Sequence, residues 1–213
     1  MRRILCSAFW LLPVLAALLL SASTTHADSL TVTVVDRNNQ PVADVLVLVD
    51  AAPSKEPSGG YVMDQVNMAF APHVLVVPLG ASVSFPNSDP VAHHVYSFSR
   101  PNQFTLPLYR GQLPNPVTFE HPGVVELGCN IHDGMVGYIV VKNGQAHAWT
   151  DADGTARFEL SDTSGATRAD IWSPRIRKRG EVLSQAVEGA SSLRFALKRG
   201  LLAPHAAHHQ DDY

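Results

Sequence analysis

Cysteine is scarce in this sequence: of 213 residues only Cys6 and Cys129 carry a thiol. Cys6 falls within an apolar leader, so removal of the leader leaves Cys129 alone and no intrachain disulfide can form. An unpaired cysteine in an oxidising compartment is a liability unless it is buried, joined to another chain or occupied by a ligand. Charge is sparse as well, at 16% of residues with a formal net charge of -3. The short basic run Arg175 to Arg179 (RIRKR) reads as a solvated face or loop, so nucleic acid is set aside as a partner. No glycine-rich phosphate loop and no Gly-x-Ser-x-Gly motif occurs, which removes the usual signatures of phosphoryl and acyl transfer. Asp151, Asp153 and Gly154 lack the further oxygen ligands and the distal Glu of an EF-hand loop, and fit a hairpin turn instead.

The leader itself is MRRILCSAFWLLPVLAALLL followed by SASTTHA. Arg2 and Arg3, the apolar run, and small residues at Thr25 and Ala27 are the order of a secretory signal peptide. Export with cleavage after Ala27 is expected, and with it a periplasmic location. No later stretch is apolar for long enough to span a bilayer, so no membrane span is expected after cleavage. At the other end, residues 201–213 (LLAPHAAHHQDDY) read as a disordered tail, in which His205, His208 and His209 are compositional evidence at most for metal uptake.

Between these ends no window has helical periodicity. Short runs rich in Val, Ile, Phe and Thr recur between Pro, Gly, Asn and Asp clusters, so the fold class is all-β. Strands are expected over 30–36, 42–50, 73–78, 82–86, 93–99, 117–120, 123–129 and 137–142, a pattern that suits a Greek-key sandwich or barrel. The segments 53–60 and 100–116 read as surface loops. After Lys142 the strand pattern restarts in QAHAWT, TARFEL, RADIWS and SLRFAL. The expected organisation is therefore a signal peptide over 1–27, a main β-domain over 28–142, a small β-rich C-terminal module over 143–200, and the tail.

One segment carries chemistry. In CNIHDGM the spacing is Cys-x-x-His-x-x-Met, on a tight loop between two expected strands. Cys129 offers a thiolate, His132 an imidazole nitrogen and Met135 a thioether; a second His would complete the trigonal two-His, one-Cys set with a weak axial Met that suits copper. The segment FPNSDPVAHHVYSFS supplies His93 and His94. Successive strand residues point to opposite faces, so only one of them can turn inward. His73, His121 and His147 have no partner at ligand spacing, and Met63 and Met68 fit core or loop packing.

These two segments, FPNSDPVAHHVYSFS and PGVVELGCNIHDGMVGYIVV, resemble the plastocyanin and amicyanin branch of the cupredoxins, the blue copper proteins. The short interval between His132 and Met135 is similar to amicyanin. The chain also resembles exported proteins labelled methylamine-utilisation proteins, and residues 143–198 resemble a carboxypeptidase-regulatory-type β-module. The resemblance implies a cupredoxin-like Greek-key sandwich and one copper ion cycling between Cu(I) and Cu(II). In that branch a Phe stands eight positions before the first ligand His, which selects His93 by its distance from Phe85. The implied ligand set is thus His93, Cys129, His132 and Met135. His94 stands where the family has an Asn that braces the Cys loop. The implied role is one-electron transfer, not enzymatic turnover, with a transient redox partner of the dehydrogenase or cytochrome class docking on apolar residues near His132, among them Pro90, Val91 and Val136. Copper carriage or delivery is the competing role, and a vestigial site beside a working β-module is a third.

Overall fold

The computed structural model describes residues 28–51, 59–111, 113–160, 166–176 and 182–203. The leader, His205, His208, His209, most of the 53–60 segment and residues 177–179 of the basic run lie outside the described residues. Within them the chain is all-β. Its strands, in chain order, are β1 (Asp28–Val35), β2 (Leu46–Val49), β3 (Tyr61–Val62), β4 (Asp64–Val66), β5 (Ala69–Ala71), β6 (Val74–Pro78), β7 (Ser82–Ser84), β8 (Val95–Ser97) and β9 (Phe104–Thr105). They continue as β10 (Val117–Thr118), β11 (Gly123–Cys129), β12 (Val136–Lys142), β13 (Ala146–Trp149), β14 (Thr155–Leu160), β15 (Arg168–Trp172), β16 (Leu183–Ala186) and β17 (Ser192–Ala196). Among the described residues no helix is long and apolar enough to cross a membrane.

The strands form four main sheets, ordered β14-β1-β17, β13-β2-β15-β16, β6-β12-β11-β8-β9 and β10-β7-β3, with β4 and β5 as a separate hairpin. Three apolar layers lie between them. Leu30, Val32 and Val34 of β1 alternate inward and meet Val47, Val49 and Ile171 from the second sheet. The opposite face of that second sheet puts Leu46, Leu48 and Trp172 against Val140, with Val74, Val76, Val124 and Tyr138 around them. The inner face of the third sheet (Val125, Leu127, Ile139, Val141) meets Val83, Phe85 and Phe119. The two middle sheets are therefore covered on both faces. This explains why VLVLV and YIVV are continuous apolar runs instead of alternating ones, since a strand buried on both sides has no face left for polar residues.

The pairing divides the chain differently from a boundary pattern read along the sequence. β1 pairs antiparallel with β14 and parallel with β17, and β2 pairs with β13 and β15. The first two strands thus belong with the strands after Lys142, and β3 to β12 form a unit inserted between β2 and β13. A main domain running unbroken from residue 28 to Lys142 does not match this hydrogen bonding. Local periodicity marks β1 as a strand but holds no record of a partner that arrives after residue 154. Two loops also differ from expectation. The 100–116 segment contains β9 and sends Leu106 and Tyr109 into the core. The start of the expected tail is tied down: Leu202 N–H donates to the Arg175 carbonyl at 2.8 Å, and Arg175 Nε donates back to the Leu202 carbonyl at 3.0 Å.

Candidate metal centre

Strand alternation sorts the paired histidines. Cys129 stands opposite Val95, and Gly128 opposite Tyr96, in the antiparallel β8–β11 pair. Val95 and Ser97 are buried on the core face, and His93, two residues before Val95, shares that face and is fully buried. Tyr96 and Phe98 face outward, Phe98 with 75% of its surface exposed. His94 turns outward with them and places Nε2 3.3 Å from Thr105 Oγ1. His93 is fixed through its backbone by exchanging N–H···O bonds with Tyr109 at 3.1 and 3.0 Å. The Tyr109 hydroxyl donates to the Phe85 carbonyl at 2.7 Å and accepts from Gln65 Nε2, and its phenol is held above the ordinary tyrosine range, chiefly by burial.

Cys129 closes β11, and Met135 immediately precedes β12. The loop between them reverses direction through Gly134, whose φ of 84° is a conformation that costs a residue with a Cβ. Met135 N–H donates to the His132 carbonyl at 3.3 Å, and Asn130 N–H donates to the His94 carbonyl at 3.1 Å. A backbone acceptor at residue 94 thus braces the Cys loop although no Asn stands there. Met135 is buried in the same apolar cluster as Cys129.

The outcome is a convergence of donors. One ligand atom each from His93, Cys129 and His132 lies within 4.8 Å of the others. Nδ1 of His93 is 3.0 Å from Nδ1 of His132, and Cys129 Sγ lies 3.8 Å from the first and 3.6 Å from the second. Nitrogen and sulfur donors bound to one ion at about 2.0–2.3 Å, in a trigonal arrangement, sit about 3.5–3.7 Å apart. The thiol distances match that spacing, and the nitrogen pair needs only a small opening. Burial, and then the neighbouring His93 ring, hold the His132 imidazole below its ordinary pKa, which keeps its lone pair free for a metal. Two imidazoles, one thiol and a buried thioether fit copper.

Asp89 is a participant that the sequence reading missed. Its Oδ2 lies 2.7 Å from His93 Nε2 and accepts from Met68 N–H at 2.8 Å, while Oδ1 accepts from Asn67 N–H. Burial pushes this carboxyl up, but the bonds from Met68, His93 and Asn67 outweigh it and hold it below the usual carboxylate range. The local signal, NSDP, indicates only a turn. The other candidates stay apart from the cluster: His73 meets Tyr138 edge-on, His121 lends its carbonyl to Asn102 Nδ2, His147 lies in β13, and Met63 is core.

His132 is half-buried, whereas His93 and Cys129 are shielded. Pro90, Val91 and Ile131, which lie near Asp89 and His132 in sequence, are exposed, and Val136 lines a cleft of about 490 Å³ with Cys129, His132, Met135, Tyr96 and Tyr138.

No protein-family model and no curated protein matches the chain. Among solved structures it is similar to a reduced Cu(I) form of an amicyanin mutant at pH 4, with 21% identity over 45% of this chain and 98% of that one, at a TM-score of 0.37. It is likewise similar to an oxidised amicyanin mutant (20% identity, 46% and 99% coverage, TM-score 0.37) and to a reduced one (22% identity, 46% and 99% coverage, TM-score 0.36).

Proposed function

We propose that this chain is an exported, periplasmic one-electron carrier that holds a single copper ion through His93, Cys129 and His132, with Met135 as the weak fourth contact. The observation that carries the reading is the convergence of two imidazole Nδ1 atoms and one thiol within 3.0–3.8 Å in a shielded pocket. Export is supported by the order of basic, apolar and small residues over 1–27.

Bound copper supplies the Cu(I)/Cu(II) couple. The chain's own residues prepare for it. β8 and β11 fix His93 and Cys129 on one face, and the turn at Gly134 brings His132 and Met135 back over them. A donor set already assembled needs little rearrangement between oxidation states, and four protein donors leave no position for substrate. The thiol is buried at the inner edge of the cleft that Cys129, His132 and Met135 line together. His132 is the ligand nearest solvent, and the apolar Pro90, Val91, Ile131 and Val136 give a transient redox partner, of the dehydrogenase or cytochrome class, a small surface on which to dock.

Cu(II) added to the purified protein should produce an intense thiolate-to-copper charge-transfer band that Cys129→Ser abolishes. A colourless complex would sink the thiolate ligation. Reversible voltammetry with fast self-exchange supports the carrier role, whereas rapid passage of the ion to a competing chelator would replace that role with copper delivery.

A further inference from the structure

His93 is held from behind by a carboxylate that is itself clamped. The turn joining β4 to β5 consists of Asn67 and Met68, at φ 53° and 55°, so both residues adopt a left-handed backbone, which is uncommon for residues other than glycine. Their two N–H groups point at Asp89. Asp89 N–H in turn donates to Asn87 Oδ1 at 3.0 Å, and Asn87 Nδ2 donates to the carbonyls of Val91 and Tyr109 at 2.9 and 3.1 Å. Tyr109 is the backbone partner of His93, so the turn, the 87–91 loop and the ligand histidine form one closed hydrogen-bonded ring.

An ionised carboxylate can only accept hydrogen bonds. At 2.7 Å from Asp89 Oδ2, His93 Nε2 must carry its proton, which leaves the lone pair on Nδ1, the atom aimed at Cys129 and His132. We propose that Asp89 is a positioning residue of the metal centre: clamped by the β4–β5 turn, it fixes His93 in the tautomer that offers Nδ1 to the ion, and its buried negative charge favours Cu(II) over Cu(I). The inference rests on the copper reading above, and it assigns to the hairpin a part in setting the redox balance. A carboxylate behind a ligating imidazole makes the imidazole a stronger donor, and loss of such a partner costs about 10–100-fold in metal affinity. The higher-charged ion loses more when the anion is removed.

Two variants separate the two effects. In Asp89→Ala the acceptor is gone, so nitrogen-resolved NMR of the metal-free protein should show His93 changing from a single Nε2–H tautomer to a mixture. In Asp89→Asn the shape is kept and the charge removed. Its Cu(I)-over-Cu(II) preference should rise about tenfold relative to the unaltered protein, which for one electron is a rise in potential of about 59 mV. An unaltered metal-free protein with His93 protonated on Nδ1 overturns the proposal, whether or not either variant folds. So does an Asp89→Asn protein whose potential equals that of the unaltered one. Absence of the charge-transfer band from the unaltered protein would instead strike the copper reading, and the NMR measurement still decides the tautomer.

Discussion

Trp172→Ala tests the apolar layer that joins the two sheets of the middle of the molecule. Trp172 ends β15 with 2% of its surface exposed, stands edge-on to Tyr138 at 5.3 Å between ring centroids, and shares its cluster with Leu46, Leu48 and Val140. A tryptophan buries up to about 250 Å², which at about 25 cal/mol per Å² gives an upper bound near 6 kcal/mol. Alanine retains part of that contact and neighbours relax into the space, so the loss should be about 3–5 kcal/mol. Against a domain stability of about 5–15 kcal/mol that is a large fraction. Guanidinium unfolding followed by far-UV circular dichroism, which does not depend on the deleted indole, should show the lower midpoint. If copper binds as proposed, its charge-transfer band should report the same transition in the unaltered protein and an earlier or separate one in the variant, because Val124 and Tyr138, on the sheet that carries Cys129, lose their cover. A loss below about 1 kcal/mol would show that Trp172 does not bridge the sheets and would refute the layered architecture.

Other expectations follow from the site. His93→Ala should bleach the charge-transfer band, while His94→Ala, which forfeits contacts with Thr105 and the Tyr96 ring outside the donor cluster, should leave it nearly intact; titration with Cu(II) reads both, and the reverse result would show that the inward and outward faces of β8 are exchanged. Tyr109→Phe deprives Gln65 and the Phe85 carbonyl of a partner and should cost about 1–3 kcal/mol at neutral pH by chemical denaturation. Because burial raises the Tyr109 phenol in the folded state, the unfolded chain releases that proton first. The stabilisation is complete below the unfolded value near pH ~10 and is lost as pH rises through the folded value, so the gap between the parent and Tyr109→Phe should narrow in that window.

Much of the centre was legible because its information is local. Cys129, His132 and Met135 share one hairpin loop, and Leu127 and Ile139 are apolar for the same reason that Cys129 faces inward. His93 against His94 was harder. The run Val95, Tyr96, Phe98 is bulky on both faces, since Tyr96 lies over Gly128, where a Cβ would come within 2.8 Å of its ring, and Phe98 is simply exposed. Asp89 was invisible because its role depends on β4 and β5, three-residue strands containing Asp64 and Gln65 that display no apolar period. The affiliation of β1 and β2 was invisible for a different reason. Their own residues specify a strand and a buried face, whereas the partner is chosen by sequence far away.

The insertion of β3 to β12 between β2 and β13 governs how the molecule is made. Along the chain β1 and β2 are far from their neighbours in β13, β14 and β17, while every strand of the inserted unit finds its partners within itself. Short-range closure is faster than long-range closure, so the topology favours the inserted unit forming ahead of the sheets that flank it. Since β2 and β13 are adjacent, with Val49 opposite Ala146, the unit leaves and rejoins its host at neighbouring strands. It is mounted by two neighbouring covalent attachments and an apolar face formed by Val74, Val76, Val124, Tyr138 and Val140, so it is held to its host at more than a single linker.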